Sequence, residues 1–271
     1  MLCIVGNISI TSGLIQRSKK FGFSICLMSM TFKVYEVIGA RMEGNTLLRK
    51  HQYTYEGTEI GIRIEKNKII NQSETLRKIR VKNQYIKEGT ALLDSLSDSL
   101  CENMDYLTVM GIEGNAAKVY FPRMFDNVNW NGRKPRIKND YINVTLDIAY
   151  TMLFNIVDAM LQVYGFDTYY GVFHKCFYMR KSLVCDLMEP MRPIVDYAIR
   201  KAINLGQCKK EDFDLYGSRW YLQMKYNATY IQFIMAAILD YKDDIFLYIQ
   251  KYYRFFMKMK SVEQFPSFEL H

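Results

Sequence analysis

Residues 171 to 196 read GVFHKCFYMRKSLVCDLMEPMRPIVD, and the rest of the chain is best read outward from them. His174 is followed by Arg180 and Lys181, and then by Asp186 and Glu189 on an apolar segment. The two acids stand three apart, so a helix sends both carboxylates from one face, within reach of one ion. Imidazole nitrogen together with carboxylate oxygens suits a hard divalent metal. Pro190 and Pro193 lack the N–H that would pair with the carbonyls of Asp186 and Glu189, four residues earlier. A helix here must start late or kink at the two acids, and an irregular turn where acids cluster is the kind of cost a functional site explains. The competing reading is a proline-kinked, half-exposed core helix whose acids pair with Arg192 and Arg180.

Composition bounds both readings. A chain of 271 residues, 49% hydrophobic and 14% aromatic, has enough apolar surface for a globular core in one large or two small domains. Lys and Arg outnumber Asp and Glu by 36 to 28, and the net charge of +8 favours a polyanionic partner such as nucleic acid. The six cysteines (Cys3, Cys26, Cys101, Cys176, Cys185, Cys208) have no metal-knuckle spacing and read as reduced packing residues of a cytoplasmic protein. The apolar opening MLCIVGNISI lacks a basic leader region and a cleavage site, and the apolar helix around 146–164 carries Asp147, Asn155, Asp158 and Gln162. Neither is expected to enter a membrane.

The pattern along the chain is α+β. Strands are expected at 2–10, 23–28 and 32–38, with a short basic helix capped by Thr11 or Ser12 and closed by Gly22. That makes residues 1–44 a small β-rich segment, thin for an independent fold, and Gly44-Asn45 marks a boundary to a helical part, 45–271. There, helices are expected from Thr46 to about Asn71 with a break near Gly57 and Gly61, from Ser73 to Lys87, at 87–102, 104–124 and 144–164, up to Asn204, and at 227–258. The charges Arg49, Lys50, Arg63, Lys66 and Lys68 read as solvated faces, and KKEDFDLYGSRW as a polar loop. The aromatic run Tyr252, Tyr253, Arg254, Phe255, Phe256 reads as core or dimer surface before a base-stacking platform.

Two further stretches carry chemistry. In MGIEGNAAKVYF (110–121), Glu113 stands near the edge of an apolar face formed by Ile112, Ala116 and Val119, where a lone carboxylate needs a partner or a metal. In WNGRKPRIKND (130–140), Arg133, Lys134, Arg136 and Lys138 surround Pro135 on a stretch expected to make few internal hydrogen bonds. This is a phosphate clamp or an exposed basic loop.

In that order, MGIEGNAAKVYF, GVFHK and SLVCDLMEPMRPIVD resemble the signature of the CRISPR-associated integrase, the metal-dependent endonuclease of the spacer-acquisition module. IVGNISITSGL, GNTLLRKHQY and NWNGRKPRIKNDYINVTLDIAYTMLFN agree with it, and MGIEGN, GRKPRIK, KSLVCD and NLGQ are most similar to the subgroup found with type V effector nucleases. The resemblance implies a β-rich N-terminal domain, here apparently shortened, and a larger all-α C-terminal catalytic domain. It places metal ligands at Glu113, His174 and Glu189, with Asp186 supporting them, for Mg²⁺ or Mn²⁺. It also implies a homodimer that acts on double-stranded DNA beside a dimer of a small companion adaptation protein. The chemistry it implies is transesterification, with a 3′-hydroxyl attacking a phosphodiester at the repeat boundary. Arg133, Lys134, Arg136, Lys138, Arg180, Lys181 and Arg192 are the expected phosphate contacts. A related transposon integrase, a non-catalytic DNA scaffold and a purely structural basic protein are the competing classes.

Overall fold

Thr11 accepts from the Leu14 amide and opens α1 (Ser12–Phe21), and Gly22 closes it in the left-handed conformation at φ 69°. On either side of this helix run β1 (Leu2–Val5) and β2 (Ser24–Met28), which pair in parallel as a helix-bridged pair can. β3 (Val34–Gly39) then returns antiparallel to β2, leaving β2 central. β1 is shorter than the expected 2–10 because the chain turns at Gly6, whose φ is 102°. The computed structural model describes residues 1–30, 33–42, 44–81, 83–174 and 177–271. Phe32, the expected start of the third strand, lies outside them, as do Lys175 of the GVFHK motif and Cys176.

Helices make up most of the remainder. They are α2 (Thr46–Thr54), α3 (Glu59–Arg77), α4 (Gln84–Ser99), α5 (Tyr106–Met124), α6 (Tyr141–Tyr164), α7 (Ser182–Met188), α8 (Arg192–Asn204), α9 (Asn227–Asp240) and α10 (Lys242–Met257). The break expected near Gly57 separates α2 from α3. Ser73 does not open a helix; it lies fully buried inside α3, and the next helix begins at Asn83, whose side chain accepts from the Ile86 amide. KKEDFDLYGSRW is not a loop. It holds β4 (Phe213–Tyr216) and the start of β5 (Arg219–Leu222), an antiparallel hairpin turned at Gly217 with φ 61°, so the helical part carries one small β element. α6 is the helix among the described residues long and apolar enough to cross a bilayer, and 78% of its apolar window is buried within the protein, as in a core helix.

By packing, the chain divides into two units, neither of them one continuous stretch. The first comprises Met1–Gly61, Thr151–Met188 and Ile245–Pro266; the second comprises Ile62–Tyr150, Glu189–Asp244 and Ser267–His271. The three strands therefore share a unit with helical segments from much later in the chain, whereas a boundary at Gly44-Asn45 parts strands from helices along the sequence. In the first unit, Phe166 packs against Tyr252 and Phe256, and Tyr164 stacks on Tyr253 at 4.9 Å, which puts the aromatic run of α10 in the core. In the second, Val144, Ala202, Cys208, Phe213 and Tyr230 form a buried cluster that seats the hairpin. Cys26 and Cys208 are buried as packing residues, while Cys3 and Cys101 are exposed.

Candidate functional site

The irregular turn expected at the two acids is present. α7 ends at Met188, Glu189–Met191 form one 3₁₀ turn, and α8 starts at Arg192 with Pro193 in its first turn. The turn gives the two carboxylates different surroundings, with Asp186 in the first unit and Glu189 in the second.

In the first unit, Asp186 organises the loop that carries His174. Its Oδ2 accepts from the amides of Val172 (2.7 Å) and Phe173 (3.1 Å), and its Oδ1 accepts from the amide of His174 (2.9 Å). The same Oδ1 lies 2.6 Å from His174 Nδ1. An ionised carboxylate only accepts, so Nδ1 carries a hydrogen, and the neutral imidazole held this way has its lone pair on Nε2. A carboxylate-oriented imidazole of this kind is how metal-binding histidines are commonly held. Gly171 makes the wrap possible, since a Cβ there would come within 2.7 Å of Asp186 Oδ2 and 2.8 Å of the His174 carbonyl. Asp186 thus pairs with the histidine loop, and the expected pairing with Arg180 is not what holds it.

In the second unit, three carboxylates converge on one ammonium. Lys68 Nζ lies 2.7 Å from Glu113 Oε1, 2.7 Å from Glu189 Oε2 and 3.2 Å from Glu65 Oε2. Arg192 closes the other side of Glu189 at 2.7 Å, as the core-helix reading expects, and lies over the Tyr150 ring at 4.8 Å. Glu113 is half-buried on α5, one helical turn from buried Val109 and Ala116, and the partner that a carboxylate at the edge of an apolar face needs is Lys68. Burial works against the Lys68 ammonium, but Glu189, Glu65 and Glu113 together outweigh it and hold its pKa above the usual lysine value. For Glu65, burial prevails over the lowering by Lys68, and with the charges of Glu189 and Glu113 pushes the carboxyl up to about 7.

Glu65 and Lys68 were not singled out in the sequence, where Lys68 reads as a solvated charge; here it is 6% exposed and Glu65 2%. The available signal was their position: one turn apart on α3, in a run where Ile60, Ile62, Ile64 and Ile69 are all buried. In the same unit, Tyr120 of α5 and Tyr150 of α6 donate to a further buried acid, Asp196 of α8, at 3.0 and 2.6 Å. Burial outweighs those two hydrogen bonds and raises the Asp196 carboxyl to about 6.

In the second unit, Glu113 and Glu189 already meet at contact distance on one positive charge, a place whose oxygen donors suit a hard divalent cation; among the described residues no three His, Cys, Asp or Glu side chains are grouped as a closed metal cage.

The expected phosphate contacts divide. Arg133 is an internal anchor, donating to Asn143 Oδ1 (3.0 Å) and Asp147 Oδ1 (2.7 Å). Its loop is pinned rather than poor in hydrogen bonds, through Lys134 N to Asn143 Oδ1 (2.7 Å), Asn143 Nδ2 to the Gly132 carbonyl (3.0 Å) and Arg136 N to Asp147 Oδ2 (3.2 Å). Lys181 pairs with buried Asp158 at 2.6 Å, and Arg192 with Glu189 as above. Lys134 and Arg136 are exposed, Arg180 is half-buried, and Lys138 lies half-buried over the Tyr221 ring at 4.8 Å.

The chain thus combines a small mixed sheet and a helical body with three acids gathered on Lys68. The family model described as CRISPR associated protein Cas1 matches residues 1–235, and the chain belongs to the Cas1 family. It is 28% identical to a CRISPR-associated endonuclease Cas1 of Thermodesulfovibrio yellowstonii over 220 residues, covering 75% of this chain and 69% of that one. It is 25% identical to one of Archaeoglobus fulgidus over 269 residues, covering 89% and 77%. Among solved structures, a partial Cas6-RT-Cas1–Cas2 complex shares the fold at a TM-score of 0.85 and 20% identity, covering 100% of this chain and 89% of that one. A CAS1 protein from Thermotoga maritima does so at 0.71 and 16% identity, covering 94% and 85%. A casposase bound to integration product does so at 0.72 and 18% identity, covering 95% and 82%.

Proposed function

We propose that this chain is a metal-dependent DNA integrase and endonuclease of CRISPR adaptation, joining the 3′-hydroxyls of a DNA fragment to phosphodiesters at the array by transesterification. The observation that carries this reading is the convergence of Glu113 and Glu189 on one cation, in a chain whose Cas1 family match spans residues 1–235. Glu113, His174 and Glu189 are the proposed ligands of Mg²⁺ or Mn²⁺. The bound ion supplies Lewis-acid polarisation of the scissile phosphate and stabilises the charge on the attacking or leaving oxygen. Asp186 fixes the tautomer and direction of His174, and Lys134 and Arg136, the exposed cations of the basic loop, hold backbone phosphates without reading sequence.

Relatives of the fold appear in complexes named with Cas2, which supports a small companion protein. A homodimer of this chain, a cytoplasmic location and membership of the type V subgroup belong to the same reading. Likeness to a casposase supports a second one, a transposon integrase acting on terminal inverted repeats.

The test is integration of a short duplex with free 3′-hydroxyls into a supercoiled repeat-bearing plasmid, with Mn²⁺, Mg²⁺ or EDTA. Metal-dependent joining that Glu189→Ala and His174→Ala lose while still binding DNA is the expected result. DNA binding with no joining, even with the companion present, would leave a scaffold. Joining at inverted repeats but not at the array would select the transposon reading.

A further inference from the structure

Lys68 is the unexplained member of the carboxylate cluster. Lys68 is 6% exposed, and its ammonium sits at ion-pair distance from Glu113 and Glu189, two of the three proposed metal ligands, at 2.7 Å each. A divalent ion and an ammonium cannot both occupy that contact, since each needs the same carboxylate oxygens and like charges a few ångströms apart repel strongly where water is scarce. A third carboxylate, Glu65, lies one helical turn before Lys68 on α3, holds Nζ at 3.2 Å and is itself 2% exposed. It belongs to none of the proposed ligands, and its longer contact makes it the place to which the flexible lysine can withdraw without being left an unpaired buried charge.

We infer that Lys68 is an internal counter-cation of the metal centre: it holds Glu113 and Glu189 converged when no ion is bound, competes with the ion for them, and retreats onto Glu65 when the ion enters. This inference rests on the metal reading above. Its physical content is an exchange of cations. Metal binding then costs the chain two lysine contacts, and the acids escape mutual repulsion in the metal-free state. Arg192 stays on the far side of Glu189 in both states and limits how far that carboxylate can swing.

The inference is tested on the full chain without DNA, by Mn²⁺ titration followed by electron paramagnetic resonance of free Mn²⁺, together with thermal melts in EDTA and in Mn²⁺. Lys68→Met keeps most of the side-chain volume and removes the competitor. The expected result is a Kd for Mn²⁺ at least tenfold tighter than wild type, with a lower Tm in EDTA and a larger rise in Tm on adding Mn²⁺. Glu65→Gln removes the retreat but leaves Lys68 on Glu113 and Glu189, so its Kd for Mn²⁺ is expected to weaken several-fold; this arm stands if Lys68→Met fails to fold. A Lys68→Met Kd within twofold of wild type, or weaker, overturns the inference while leaving the metal reading intact. No Mn²⁺ binding by wild type or by Lys68→Met overturns the metal reading and the exchange with it. Binding by Lys68→Met alone would be the exchange in its strongest form.

Discussion

Asp186 and Glu189 are three residues apart, yet they are held by opposite means. Asp186 is fully buried and accepts from three consecutive backbone amides and an imidazole, donors that cannot leave without unfolding the loop. Glu189 is almost as buried, at 3%, but is held by the side-chain cations Lys68 and Arg192, which rotamer changes can move. The 3₁₀ turn forced by Pro190 and Pro193 is what lets neighbours in sequence differ so much. A carboxylate bonded to backbone is a fixed part of the scaffold, and one bonded to mobile cations is available for exchange. The position in the motif where a ligand is expected has the second kind of support, and the supporting position has the first.

The largest break in this comparison is Asp186→Ala. It leaves the Val172, Phe173 and His174 amides without their acceptor, at roughly 1–3 kcal/mol each, so Tm in EDTA is expected to fall by on the order of 10 °C. Joining activity should be lost with it, because His174 loses its orientation. A melt within a few degrees of wild type would show that the loop is held by something else.

Asp196 sharpens the series as a buried acid held by two phenols. Its carboxyl is raised to about 6 from 3.8, so the stability it contributes is present below about pH 4 and is lost as the pH rises through 6. Wild type should lose about 3 kcal/mol across that window relative to Asp196→Asn, which has no carboxyl to ionise. Denaturant unfolding of both proteins from pH 4 to 8 reads the difference, and parallel curves would mean that Tyr120 and Tyr150 compensate the burial in full.

Glu189→Gln should cost less, about 1–2 kcal/mol, since Lys68 keeps Glu65 and Glu113 and Arg192 keeps the Tyr150 ring. Joining should nonetheless be abolished. A small loss of stability with complete loss of activity is the signature of an exchangeable ligand; a loss as large as that of Asp186→Ala would place the two acids in one class.

These differences mark what the sequence could carry. Strand and helix periodicity, the Thr11 and Gly22 caps and the proline turn are local, and each was legible before the fold was known. The family resemblance supplied Glu113, His174, Asp186 and Glu189 as site residues. The identity of the cation between the acids was not legible, because Glu65 and Lys68 look like any charged turn of a surface helix until α5 and the 3₁₀ turn cover them. The hairpin at Phe213–Leu222 was missed for a related reason. Its strands are four residues each and polar on one side, and what makes them a hairpin is the seat provided by Tyr141, Ala202 and Tyr230 from elsewhere in the chain. Side-chain partners set by tertiary packing have no periodicity to read.

The same distinction between fixed and free charges separates the cations of the basic loop, and here the effect is smallest. Arg133 is committed to Asn143 and Asp147 and stacks near Tyr150 at 5.3 Å, so its guanidinium already has the partners a phosphate would offer. Lys134 and Arg136 present their charges to solvent while their backbone amides anchor the loop. If DNA lies on this loop, Lys134→Ala and Arg136→Ala should each reduce the slope of log K against log salt by about one and weaken binding to any sequence alike. Arg133→Ala should leave that slope unchanged and instead lower Tm by a few degrees, because it takes the guanidinium from half-buried Asp147 and loosens the loop. Fluorescence anisotropy with a labelled duplex across a salt series measures both. A slope that falls for Arg133→Ala and not for its neighbours would reverse the assignment, and would mean that DNA draws Arg133 away from Asp147 as the proposed ion displaces Lys68 from Glu189.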